Sequence, residues 1–102
     1  MQMNAEWYVY LLMCSDDSYY CGIAKDIHKR HQAHNSGKGA RYTRGRGPTV
    51  LVWKISEPIS LSQALRLERR IKSMSRNQKI EFVNNTNVQQ EFLSEASSYD
   101  VS

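Results

Sequence analysis

Trp7-Tyr8-Val9-Tyr10-Leu11-Leu12-Met13-Cys14, then Ser15-Asp16-Asp17-Ser18, then Tyr19-Tyr20-Cys21-Gly22-Ile23-Ala24, is the stretch that decides how this chain begins to fold. The first run is aromatic, β-branched and apolar, the composition of a strand buried on both faces. Ser15-Asp16-Asp17 supplies turn residues, and a second strand over about 18–24 makes the pair a β-hairpin. Its loop length fixes which side chains share a face. If Ser15-Asp16-Asp17 is a three-residue loop, Cys14 pairs with Ser18, Leu12 with Tyr20 and Tyr10 with Gly22, and Tyr10 and Tyr20 lie on one face. A two-residue loop at Asp16-Asp17 puts them on opposite faces.

Beyond the hairpin, Asp26 is an N-cap for a helix running to about Asn35, where Gly37 and Gly39 can end it. Asn35 to Thr49 is a Gly-rich basic loop, long for a compact domain and of a size usually functional or mobile. Val50-Leu51-Val52-Trp53-Lys54-Ile55 reads as a third strand, ended near Pro58. Ser60 with Gln63 forms a capping box for a helix from Leu61 to about Met74, and Ser75 with Gln78 starts a shorter one through about Val83. The order β-β-α-β-α-α predicts an α+β domain around a three-stranded antiparallel sheet, occupying residues 1–83. Residues 84–102, rich in Asn, Gln, Ser and Glu, form a flexible or partly helical tail, with a helical turn or two between Val88 and Ala96.

The chain has 102 residues, 40% of them hydrophobic, which suits one small domain. It has no run near the roughly 20 apolar residues of a membrane span, and its N-terminus lacks a signal-peptide pattern, so the expected setting is the cytoplasm without membrane partners. Cys14 and Cys21 have neither zinc-ligand spacing nor disulfide-scaffold density, and read as buried free thiols. The net charge is +4, but its placement is more informative. From Ile27 through Ser56 there is no acidic residue, while Lys29, Arg30, Lys38, Arg41, Arg44, Arg46, Lys54 and all three histidines fall there. Such a block fits a polyanionic partner, since neutralised phosphates release condensed counterions; a solvated basic face is the competing reading.

Three places break the usual core pattern. The inward stripe of the first helix would be Ile27, Arg30, His31 and His34, of which only Ile27 suits a core. Arg30 and His34, four apart, share a helix face and can reach the same phosphate or water, unless that face is simply solvent-exposed. In the second helix, Leu61, Ala64, Leu65 and Ile71 define a stripe with Glu68 in its middle. A partly buried carboxylate needs a partner, either an arginine in a structural ion pair or a metal ion. Finally, tyrosines concentrate at the hairpin and the basic loop, beyond what core aromatics require at Tyr10 and Tyr20.

Together these residues resemble the GIY-YIG superfamily, in particular its small single-domain bacterial members. The resemblance covers residues 7–83 and rests on Tyr8-Val9-Tyr10, Tyr20-Cys21-Gly22, the run Ala24-Lys25-Asp26-Ile27-His28-Lys29-Arg30 continuing to His34-Asn35, then Gly37-Lys38-Gly39-Ala40-Arg41-Tyr42-Thr43-Arg44, and Glu68. It implies hydrolysis of phosphodiesters with one divalent ion, Mg²⁺ or Mn²⁺. By that resemblance Tyr10, Tyr20, Arg30 and His34 are catalytic, Glu68 is the metal ligand, and Gly22 is the glycine that allows close approach at the site. Lys38, Arg41, Tyr42, Arg44 and Arg46 are then nucleic-acid-binding residues. Arg30 offers a planar fork to phosphate oxygens, and either Tyr10 or His34 deprotonates the attacking water; Tyr10 can do so only if nearby cations lower its reference pKa of about 10. Tyr8 stands where the family name has glycine and Cys21 where it has the second isoleucine, while Asn77, Asn84 and Asn85 are alternatives for a later family asparagine.

The expected function is an endonuclease acting on DNA, on branched, nicked or single-stranded forms and in a DNA-repair setting, with RNA a second candidate. The alternatives are a catalytically inactive nucleic-acid-binding module of the same fold, and an interaction domain docking an acidic protein. No protein partner is specified by the sequence.

Overall fold

In the computed structural model of the protein, which describes residues 5–40 and 42–99, the hairpin forms strands β1 (Tyr8–Met13) and β2 (Tyr19–Ala24). Cys14 N–H donates to Ser18 O (2.8 Å), and the register pairs Leu12 with Tyr20 and Tyr10 with Gly22. The loop is therefore the three-residue one. Asp17, its last residue, has φ 65°, the left-handed conformation such loops use to rejoin the strand. Asp16 Oδ1 accepts from both the backbone N–H and the hydroxyl of Ser18, stabilising the turn locally.

Helix α1 (Ile27–Asn35) begins where Asp26 accepts a hydrogen bond from Lys29 N–H. It ends in a Schellman motif: Gly37 N–H reaches His34 O and Lys38 N–H reaches Ala33 O, with Gly37 at φ 83°. Strand β3 (Val50–Lys54) returns antiparallel to β1, with a register shift between Leu11 and Leu12, and the sheet order is β2-β1-β3. Helices α2 (Leu61–Lys72) and α3 (Arg76–Asn84) both start with complete capping boxes, at Ser60/Gln63 and Ser75/Gln78. The expected α+β order is observed, with one helix added.

That addition is α4 (Thr86–Tyr99), longer than the turn or two expected of the tail. Asn85 closes α3 and caps α4 in one step, its Oδ1 accepting from Asn87 and Val88 N–H. Phe92 then packs edge-on to Phe82 at 5.4 Å, and Gln89 donates to Phe82 O. The polar composition concealed a helix whose Val88, Phe92 and Leu93 pack against the core.

Because β1 is central, its alternating side chains feed two cores. Val9 and Leu11 join Cys21, Ala64, Leu67, Ile71 and Phe82 on the face covered by α2 and α3. Tyr10 and Leu12 join Ala24 and Ile27 on the face covered by α1. The buried line of α2 is Ala64, Leu67 and Ile71, whereas Leu61 and Leu65 point outward at 43% and 44% exposure. The stripe expected from the sequence is thus rotated, because Ser60 caps the helix in a phase that turns Ala64 and Leu67 to the sheet. Cys14 and Cys21 are buried free thiols. Among the described residues no helix is long and apolar enough to cross a membrane.

Candidate active site

The face between α1 and the hairpin gathers the residues that broke the core pattern. Tyr10 crosses to Gly22 on β2, where an added Cβ would stand 2.5 Å from the Tyr10 hydroxyl and 2.9 Å from Tyr20 Cε2. Gly22 is therefore a cradle for both rings. Tyr20 lies beside Tyr10 with ring centroids 6.4 Å apart and beside the His34 imidazole at 5.0 Å. The basic loop closes over this group through Tyr42, whose ring is 5.8 Å from that of Tyr20.

His34 points inward from α1 and is fully buried, with a bond from each ring nitrogen. Nε2 is 3.0 Å from the Tyr10 hydroxyl and Nδ1 is 2.7 Å from Thr43 Oγ1. Burial first, then the charges of Arg30 and His31, pull its pKa down to about 4. Tyr10 is pushed the other way, to about 12, because burial and the neighbouring Tyr20 outweigh the favourable Arg30 guanidinium. A phenol in that state is a neutral hydrogen-bond donor at neutral pH. Tyr10 and His34 are 0% and 2% exposed, so neither expected base contacts water directly. Tyr20 is the phenol of this cluster that remains partly open, together with Arg30 and the exposed Tyr42.

The described parts of the basic loop, residues 36–40 and 42–49, are bonded into place. Asn35 Oδ1 accepts from Thr49 N–H (2.7 Å) and from Thr49 Oγ1 (2.8 Å), so the end of α1 holds the start of β3. Arg46 O accepts from Ser15 N–H, its guanidinium pairs with Asp16 (3.0 Å), donates to Tyr42 O (2.7 Å) and stacks over the Tyr42 ring (4.4 Å). Arg46, expected to hold nucleic acid, thus has its forked donors committed to shaping the loop. Lys38, Tyr42 and Arg44 are exposed. Arg41 lies outside the described residues.

Glu68 stands on α2, the helix that covers the face of the sheet opposite α1, with its side chain 18% exposed and Lys72 Nζ 3.3 Å from Oε2. Cys21 registers it: burial raises that thiol to about 12, and the Glu68 carboxylate contributes in the same direction. Cys21 sits between Tyr20 and Gly22 on β2, so Glu68 acts on the strand that carries Tyr20. β2 is an edge strand, so both sides open onto one margin of the sheet. Among the described residues no group of three or more His, Cys, Asp or Glu could close around a metal. A single carboxylate, 18% exposed, suits a water-rich Mg²⁺ or Mn²⁺ shell and does not suit a closed zinc cage. Of the three asparagines, Asn84 donates to Ile80 O and Asn85 caps α4, while Asn77 lies exposed in the first turn of α3.

Thr43, Gly39 and Asn35 were given no part at the site from the sequence. A Cβ on Gly39 would run into the His34 ring and backbone, which a second glycine so soon after the helix-ending Gly37 signals in retrospect. Thr43, 1% exposed, carries no such signal.

The family model for the GIY-YIG catalytic domain matches residues 6–81. A UPF0213 protein of Vibrio cholerae is 42% identical over 78 residues, covering 76% of this chain and 77% of its own. Another, from Halalkalibacterium halodurans, is 47% identical over 76 residues, covering 74% and 80%. A protein of E. faecalis solved by solution NMR is 31% identical with a TM-score of 0.54, covering 82% of this chain and 88% of that one. With the α+β fold and its hairpin in place and the family model spanning residues 6–81, the chain belongs to the GIY-YIG catalytic domain family.

Proposed function

We propose that this protein is a divalent-metal-dependent endonuclease that hydrolyses phosphodiester bonds in DNA and works in the cytoplasm. The observation that carries the reading is the juxtaposition of Tyr20, partly open, with Arg30 and the exposed Tyr42 over a buried Tyr10–His34 pair. Arg30 binds a phosphate oxygen through its fork. Tyr20 orients the attacking water, and Tyr42 covers the adjacent nucleotide with its ring. Tyr10 and His34 hold Arg30 and Tyr20 in place from beneath. Glu68 holds Mg²⁺ or Mn²⁺, which when bound would offset charge developing on the phosphate and leaving oxygen. The phosphate lies along the outer margin of β2, the edge of the sheet that carries Tyr20.

Cleavage of branched, nicked, single-stranded and linear duplex DNA with either metal tests the proposal. Arg30→Ala, Glu68→Ala and Tyr20→Phe should each lose at least about 100-fold, the scale of one preorganised electrostatic or proton-handling group. Full activity in Glu68→Ala would remove the metal assignment. One observation favours an inactive binding module instead: the Glu68 carboxylate is already paired with Lys72. DNA binding that weakens steeply with salt, with no cleavage of any substrate, would decide for that reading.

A further inference from the structure

We propose that Thr43 is a positioning residue that fixes the tautomer of His34, placing the proton on Nδ1 and leaving Nε2 bare to receive the Tyr10 hydroxyl proton as a hydrogen bond. The inference rests on the nuclease reading for its consequence but not for its test. Three bonds in series carry it. Tyr10 Oη is 3.0 Å from His34 Nε2, His34 Nδ1 is 2.7 Å from Thr43 Oγ1, and Thr43 Oγ1 is 2.9 Å from Ala40 O. A carbonyl only accepts, so the terminal acceptor sets the sense of the chain. The Thr43 hydroxyl donates to Ala40 O, its oxygen accepts Nδ1–H, and Nε2 accepts from Tyr10. Each member then has its donor and acceptor matched.

The opposite sense would have the Thr43 hydroxyl donate to Nδ1 and Nε2–H donate to Tyr10. It gains one long contact, Ala40 N–H to Nδ1 at 3.4 Å. It also turns the Tyr10 proton away from Nε2 and toward Arg30, the cation beside the Tyr10 oxygen, which has no acceptor to offer. The 2.9 Å bond from the Thr43 hydroxyl to Ala40 O, against the 3.4 Å contact of the opposite sense, and the donor-only guanidinium select the first sense.

The threonine is rigidly held for this task. Its N–H donates to Ala40 O (3.1 Å) and its carbonyl accepts from Arg46 N–H (3.1 Å), so two successive turns of the basic loop aim its hydroxyl at the ring. Gly39 packs against the Nδ1 edge of His34, where an added Cβ would stand 2.3 Å from Nδ1. With its proton committed to Nε2, Tyr10 presents lone pairs to Arg30, and the guanidinium is oriented by accepting oxygen behind it. The basic loop thereby sets the phosphate-binding fork two residues removed from itself, through His34 and Tyr10.

The test is a long-range ¹H–¹⁵N correlation spectrum of the imidazole nitrogens of the full chain at neutral pH, needing no substrate. Wild type should show His34 protonated on Nδ1 and bare on Nε2. Thr43→Ser should keep that pattern, and Thr43→Val, which removes the hydroxyl at nearly constant volume, should lose it or shift toward Nε2–H. In cleavage, Thr43→Val should lose at least tenfold, mainly in KM through Arg30, while Thr43→Ser stays within about threefold. A wild-type ring protonated on Nε2 would overturn the proposal even if Thr43→Val fails to fold, as would a folded Thr43→Val with an unchanged Nδ1–H tautomer. The expected tautomer in a protein that cuts no DNA would instead overturn the nuclease reading and leave the assignment of Thr43 standing.

Discussion

At Gly22 one methyl group would press on the Tyr10 hydroxyl and the Tyr20 ring at once, and Tyr10 has no room to yield because it is wholly buried. Gly22→Ala should cost about 1–3 kcal/mol by overpacking and should displace both phenols, so that denaturant midpoint and cleavage fall together. His34 makes a second prediction at this scale. Its folded pKa, about 4, lies below its ordinary 6.5, so the unfolded chain binds the extra proton between those values. Stability must therefore rise with pH from about 4 to 6.5 and be lost on acidification through the same window. At about 1.36 kcal/mol for each tenfold change in proton affinity, the contribution is on the order of 3 kcal/mol. Urea midpoints at pH 7.5 and 4.5, in wild type and His34→Gln, check this; the variant should lose most of the acid-side slope. The sequence placed His34 on an inward stripe of α1 but left open whether that face was solvated, because both ring partners, Tyr10 and Thr43, come from other segments.

At the scale of elements, the loop after α1 and the helix after α3 behave differently from their composition. Asn35 anchors the loop with three hydrogen bonds to Thr49, and Asn35→Ala would leave the buried Thr49 N–H without its partner. The expected cost is about 1–3 kcal/mol, with a loosened basic loop detected by faster amide exchange over residues 36–49. Helix α4 shields Phe82 and brings Phe92 under the Arg70 guanidinium at 4.7 Å. Phe92→Ala should lower stability by about 2 kcal/mol, less than a fully buried phenylalanine because one side of the ring is open. Cleavage by the folded protein should stay near wild type, since α4 lies against the face opposite the tyrosines. Capping boxes made α2 and α3 legible, each being a bond between residues three apart. α4 was not, since its cap is also the end of the preceding helix and its apolar residues gain meaning only against Phe82.

Across the whole molecule, a one-sign segment from Ile27 to Ser56 is folded so that some of its charges face solvent and others are consumed internally. Lys38 and Arg44 are exposed, and replacing either by Gln should lower the magnitude of the slope of log K against log salt for DNA by about one. Arg46→Gln should act otherwise. It breaks the pair with Asp16 and the bond to Tyr42 O, so the loop loosens while the salt slope changes little. Fluorescence anisotropy titrations over a salt series distinguish the two classes.

Neighbours along the chain decided part of this protein unaided, and that part was legible in its residues. The parity of a three-residue turn put Tyr10 and Tyr20 on one face, Asp26, Ser60 and Ser75 started helices with bonds closed inside one turn, and the apolar run of β1 marked a strand buried on both sides. Packing decided which phenol is covered and which is open, that Arg46 answers to Asp16 thirty positions away, and that Thr43 rather than water meets His34. It also paired Glu68 with Lys72, one turn along α2. Burial and the choice of polar partner depend on which distant segments meet, and a buried donor must take whatever acceptor the packing brings to it; no local pattern of residues carries that information.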